Sequence, residues 1–150
     1  MARYFVSALL ALQVACTCTP QCRPGEAACA CLAANQCNDG LVCGGDGTCA
    51  APTLAGVVVS DPAARGCEVL LTEAAGTVIT AGQFSGGVVG TSLREAPRVA
   101  LTFVAPGDAP FPAGGVSLAL AQGTTAGVTV TKASCVDAKG ARLQATVTIR

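Results

Sequence analysis

The sequence predicts a mainly β protein, a small disulfide-rich module followed by an antiparallel β-sandwich. Two observations lead there. Eight of the ten cysteines fall within the first third of the 150 residues, a density usual in oxidising compartments and rare where thiols are kept reduced. Beyond residue 50 the chain switches to Val, Thr, Ala, Leu and Gly in short runs broken by turn residues. No stretch there holds apolar residues at helical spacing for three turns.

Composition also narrows the function. Nine basic against nine acidic side chains leave no net charge, and only 12% of residues are charged, which argues against a basic nucleic-acid-binding surface and against an acidic disordered chain. Histidine and tryptophan are absent, so triads built on imidazole, His-ligated metals and indole stacking platforms are excluded. No cofactor and no nucleic-acid partner are expected.

The chain opens as Met1-Ala2-Arg3 and an apolar run from Tyr4 to Leu12, continuing through Gln13, Val14 and Ala15 to Cys16. A charged start and a short apolar stretch have the layout of a signal peptide, here 1–15. About a dozen apolar residues are too few for the roughly 20 of a spanning helix. The segment Leu12-Gln13-Val14-Ala15-Cys16 resembles the lipobox of bacterial lipoproteins, with Gln13 where that family carries Leu, Val or Ile. The resemblance implies acylation of Cys16, attachment to the membrane through that lipid and, with Thr17 in place of Asp, an outer-membrane location. Parity offers an alternative. Lipid on Cys16 leaves nine thiols and an odd one, for which Cys18 is the candidate, whereas a freely secreted chain can close five bridges, with an extracellular location.

The module spans 16–49. From Cys22 the cysteines run Cys29, Cys31, Cys37, Cys43 and Cys49, with a six-residue step repeated from Cys31. Leu32, Leu41 and Val42 are the only large apolar residues between Cys22 and Cys49, so apolar burial cannot stabilise the segment and disulfides must. Pro24-Gly25, Asn38-Asp39-Gly40, Gly44-Gly45 and Asp46-Gly47 supply the turns. Six cysteines allow 15 pairings, and the spacing does not choose among them. The run Cys37-Asn38-Asp39-Gly40-Leu41-Val42-Cys43 followed by Cys49 resembles the Dickkopf N-terminal cysteine-rich domain and EGF-like modules, which implies a disulfide-knit extracellular unit. A metal-thiolate cluster at Cys29 and Cys31 is disfavoured, since paired C-x2-C knuckles are missing and the export context favours oxidation. No C-x-x-C redox pair is present. Glu26, Asp39 and Asp46 lack the order of a calcium loop and read as turn formers.

A linker at 50–53 leads into the sandwich, 54–150. Candidate strands are 56–60, 67–72, 77–81, 87–91, 98–104, 116–121, 127–132 and 143–149. The last alternates strictly, with Leu143, Ala145, Val147 and Ile149 on one face and Gln144, Thr146, Thr148 and Arg150 on the other. Phe84, Phe103 and Phe111 are the aromatics of the mature chain, and two of them adjoin strands where they would fill the core. Cys67 and Cys135 are the only thiols beyond the module and are expected to pair, a bridge for which the chain-entropy model gives about 4 kcal/mol. The segment from Ala133 to Leu143 resembles the closing segment of cohesin-type β-sandwiches, which implies partner binding through a sheet face.

The acids Glu68, Glu73, Glu95, Asp108 and Asp137 are scattered, and Ser85 and Ser134 lack a histidine activator, so no catalytic constellation is visible. Two features remain for recognition. One is the proline-stiffened loop 105–115 around Phe111, whose plainer role is a rigid connection tucking Phe111 under the sandwich. The other is Arg94 and Arg98, expected to be solvated or paired with Glu95. Taken together, the sequence points to an exported, lipid-anchored, non-enzymatic envelope protein with a structural or interaction role and a protein partner at the cell surface. The alternative is a freely secreted binding or inhibitor protein.

Overall fold

The structure is a computed structural model that describes residues 22–150; the expected signal segment, Cys16 and Cys18 lie outside the described residues. Half-turns and bridges dominate the first part. Strands β1 (Val42–Cys43) and β2 (Cys49–Ala50) form an antiparallel hairpin. Disulfides Cys22–Cys29, Cys31–Cys43 and Cys37–Cys49 tie the turns around it. Gly25, buried at φ +90°, lets two turns touch: its N–H donates to Ala30 O and its carbonyl accepts from Asn38 N–H. A Cβ there would stand 2.9 Å from Asn38 Oδ1, a space that only glycine leaves open.

The remaining strands are β3 (Thr53–Val59), β4 (Gly66–Glu73), β5 (Val78–Gln83), β6 (Val89–Glu95), β7 (Arg98–Val104), β8 (Val116–Gln122), β9 (Val128–Val136), β10 (Arg142–Leu143) and β11 (Val147–Ile149). They form two antiparallel sheets. One runs β10-β9-β4-β7-β6 and the other β11-β3-β8-β5. Between the sheets lie Val57, Leu71, Ile79, Leu101, Phe103, Leu118 and Leu120, all essentially inaccessible to water. Phe103 is the centre of the aromatic set, with Phe111 edge-on at 5.1 Å between ring centroids and Phe84 tilted at 6.5 Å. Among the described residues no helix is long and apolar enough to cross a membrane.

Cys67 and Cys135 are register partners on β4 and β9, bridged at a Cα–Cα separation of 4.2 Å and buried at 3% and 2% exposure. The bridge therefore lies within one sheet and joins neighbouring strands through cysteines 68 residues apart in sequence.

Several strand expectations are corrected. The alternating stretch 143–149 is two strands, because the chain leaves β9 after Leu143 and reaches β3 at Val147. Leu143, Ala145, Val147 and Ile149 keep facing the interior through the crossing, and alternation reports the buried face without saying which sheet supplies it. The crossing is held by Ser60, whose Oγ accepts Thr146 N–H while its N–H donates to Thr146 O. The linker is shorter than 50–53, since Ala50 closes β2 and Thr53 opens β3. Strand β9 continues to Val136, past 132, because its pairing with β4 extends beyond Cys135.

Arg94 pairs with Glu73, not Glu95. Glu73 ends β4 with its side chain 3% exposed. Its Oε1 accepts Arg94 Nε–H and Ile79 N–H at 2.8 and 2.7 Å, and Oε2 accepts Arg94 Nη2–H at 2.8 Å. Since Ile79 belongs to β5, this carboxylate links the edges of both sheets. Nearby, Ser92 Oγ accepts Gly82 N–H, so side chains from one sheet satisfy edge groups of the other and close the corner.

Burial opposes ionisation of Glu73, but the hydrogen bonds from Arg94 and Ile79 and the Arg94 charge outweigh it and hold the carboxyl below its ordinary pKa. The stabilisation is thus complete above the unfolded-state value of about 4.3 and is lost as pH falls below it towards the folded-state value. Glu73→Gln should lower stability by about 2–3 kcal/mol at pH 7, less than for fully enclosed pairs because Arg94 is 35% exposed. Thermal unfolding between pH 7 and 3 should show the gap between variant and wild type narrowing below pH 4.3; a gap independent of pH would contradict this role. Replacing Cys67 and Cys135 together by serine should cost about 4 kcal/mol in denaturant unfolding.

Candidate functional site

Two places combine chemistry with access: the sulfur core of the module and the groove where the module meets the sandwich. The hairpin β1–β2 places Cys43 directly opposite Cys49, while Cys31 and Cys37 arrive from the preceding turns. The two crossing bridges then stack, with Cys31 Sγ 4.0 Å from Cys37 Sγ. Cys49 is fully buried, and Cys31, Cys37 and Cys43 are half-buried. Among the described residues, Cys31, Cys37 and Cys49 are the one group of three potential metal ligands, their sulfurs all within 4.8 Å of one another. Each already belongs to a disulfide. A disulfide sulfur is not the thiolate that zinc requires, so the oxidised module does not supply a thiolate site. Cys22 and Cys29 pair with each other, apart from this core.

The groove has a volume of about 730 Å³ and lies against Gln36, Leu41 and Val42 of the module and Val78, Thr80 and Gln122 of the sandwich. No charged side chain lines it. Its chemistry is therefore amide and hydroxyl hydrogen bonding beside small apolar surface, which suits recognition of an uncharged group. Gly45 lies against the Gln122 side-chain amide, where a Cβ would stand 2.7 Å from Oε1 and the amide would have to turn aside.

The loop 105–115 serves the fold. Phe111 is half-buried against Phe103 and the core, and Arg65 Nη2 donates to Asp108 O at 2.8 Å while its Nη1 donates to Pro62 and Ala64 carbonyls. These contacts make the loop a rigid connection that tucks Phe111 under the sandwich. The aspartates act locally: Asp46 accepts from Thr48 N–H and Oγ–H, Asp61 from Ala63 N–H, and Asp137 from Lys139 and Ala141 N–H. The backbone and hydroxyl bonds from Thr48 hold the Asp46 carboxyl below its ordinary pKa, as expected of a turn that needs the charged acceptor. Glu68 and Ser134 are register partners on the outer face of the five-stranded sheet, beside Thr102. Glu73 is committed to Arg94.

Glu73 and the groove amides were not singled out from sequence. For Glu73 a signal exists, because Val69, Leu71 and Glu73 share the inward parity of β4, so an acid in that position demands a buried partner. For Gln36 and Gln122 there is none, since each is a lone amide whose neighbour is defined only by the packing of one half on the other. Comparison with family models, with curated proteins and with solved structures finds no match to this chain.

Phe111→Ala should lower stability by about 2 kcal/mol, below the cost of truncating a fully buried phenylalanine. Near-ultraviolet circular dichroism and denaturant unfolding will read this, and an unchanged midpoint would mean that the loop does not brace the core.

Proposed function

We propose that this chain is an exported, lipid-anchored, non-enzymatic protein of the bacterial cell envelope. In this reading the Cys16 lipid sits at the outer membrane, and the disulfide module spaces and presents the β-sandwich for a structural or interaction role with a protein partner at the surface. The observation that carries it is the state of the cysteines. All eight from Cys22 onward are closed in four internal bridges, the usage of a compartment outside the reducing cytoplasm. The parity question is thereby confined to Cys16 and Cys18, because the other eight satisfy one another. The uncharged groove between the halves supports recognition rather than turnover, as it brings no titratable group to a bound molecule. The likeness of the module to Dickkopf N-terminal and EGF-like units, and of the closing segment to cohesin-type sandwiches, belongs to the same proposal.

Intact mass of the protein from the membrane fraction of a bacterial host, with and without alkylation after reduction, tests the reading. The expected species begins at Cys16, carries acyl groups, and gains eight alkyl groups only after reduction. Cys16→Ser should move the protein from the membrane to the soluble fraction. A soluble, unmodified chain with all ten cysteines oxidised would overturn the anchor and favour the freely secreted binding protein.

A further inference from the structure

The four sulfurs at the centre of the module are arranged so that a second set of bridges is within reach. Cys31 Sγ lies 4.0 Å from Cys37 Sγ although the two belong to different disulfides. Their present partners, Cys43 and Cys49, are register partners across β1 and β2. The Cys49 N–H turns away from β1 and donates to Cys29 O, while Gly44 N–H donates to Thr48 O. By the alternation of an antiparallel ladder, Cys43 and Cys49 therefore form a non-hydrogen-bonded pair, whose Cα atoms stand about 4.5 Å apart with side chains close together. That separation is within the disulfide range. The same chain shows such a register pair bridged, at Cys67–Cys135 with a Cα–Cα distance of 4.2 Å.

We propose that the module is a thiol–disulfide exchange site that interconverts two isomers, Cys31–Cys43 with Cys37–Cys49 and Cys31–Cys37 with Cys43–Cys49, under catalysis by an external thiolate. The steps balance without an oxidant or reductant. The external thiolate attacks half-buried Cys43 Sγ, forming a mixed disulfide and expelling the Cys31 thiolate. Cys31 attacks neighbouring Cys37 Sγ and expels the Cys49 thiolate. Cys49 then attacks Cys43 across the hairpin and releases the external thiolate unchanged. Three sulfur–sulfur bonds form and three break, each by displacement of a thiolate; Cys31 Sγ lies beside the Cys37–Cys49 bond, within 4.8 Å of Cys49 Sγ as well, and has to turn into line with that bond once it is released from Cys43. The Cys22–Cys29 and Cys67–Cys135 bridges take no part. Exchange re-ties the segment 32–42, which supplies Gln36, Leu41 and Val42 to the groove, so the two isomers present different recognition surfaces.

A protease cutting before aspartate reads the isomers directly, since Asp39, Asp46 and Asp61 separate Cys37, Cys43 and Cys49 into different fragments. With the crossing bridges, fragments 39–45 and 46–60 both stay attached to the fragment carrying Cys31 and Cys37. After exchange they separate from it as a linked pair. The oxidised full chain, with any free thiol at Cys18 first capped by iodoacetamide and the reagent removed, is incubated anaerobically with about one-tenth equivalent of reduced glutathione, quenched with N-ethylmaleimide, digested and weighed without reduction. The linked pair 39–45/46–60 should rise at least tenfold over a thiol-free control. Its rate of appearance should increase about tenfold from pH 6 to 7, following the thiolate fraction. A pair that stays at the control level overturns the proposal, and so does spread of Cys22 and Cys29 over all partners, which marks scrambling through an unfolded module. In a Cys22→Ser/Cys29→Ser variant the same rise is expected, because the exchange needs only the four inner sulfurs.

Discussion

The pairing of β4 with β9 is the constraint on which the sandwich depends. β4 is the middle strand of its sheet, flanked by β9 and β7, and it pairs with β9 at cysteines 68 residues apart in sequence. Closing so long a loop is an entropic cost that the folded contacts must exceed. The Cys67–Cys135 bridge at the register position shifts part of that cost to the unfolded chain. Around it the inward residues Val69, Leu71, Leu101 and Phe103 form one side of the core, and Phe84 and Phe111 pack on Phe103 from loops at the rim. Few side chains are large, so the core relies on Val, Leu and Ala fitted closely and on aromatic contact at one place.

The module solves the same problem without a core. With Leu32, Leu41 and Val42 half-buried or exposed, apolar burial contributes little, and three bridges plus turn hydrogen bonds hold some thirty residues. Stability comes from covalent closure there and from sheet packing in the sandwich. The two halves join through the short segment after Ala50 and through the contact of Gly45 with Gln122, and the uncharged groove is the product of that join. The β5 edge of the sandwich is finished with side chains: Glu73, held by Arg94, accepts Ile79 N–H and Ser92 accepts Gly82 N–H.

Much of this was legible in the sequence, and the limits have physical causes. Turn residues and alternation located most strands, because period-two patterning is imposed by the pleat itself. The closing stretch from Leu143 to Ile149 misled, because a chain may cross between sheets without breaking its inward parity. For Arg94 the sequence offers solvent or its neighbour Glu95, because the partner depends on topology: the β4–β7–β6 order brings Glu73 to it across the intervening β7. The pairing of the module cysteines was beyond reach, since equal six-residue spacing ranks no connectivity above another. The groove was equally illegible, because neither half contains it.

Differential protection on reduction tests this division most directly. Amide hydrogen exchange would be followed in the oxidised protein and after mild treatment with a dithiol reductant. The module bridges, with Cys22 exposed, should open first, and the protection of the Ala28, Cys31, Gly44 and Cys49 amides should collapse. The β4 and β9 amides around the buried Cys67–Cys135 bridge should keep theirs. Module amides that stay protected without their bridges, or a sandwich that loses protection together with the module, would contradict the account.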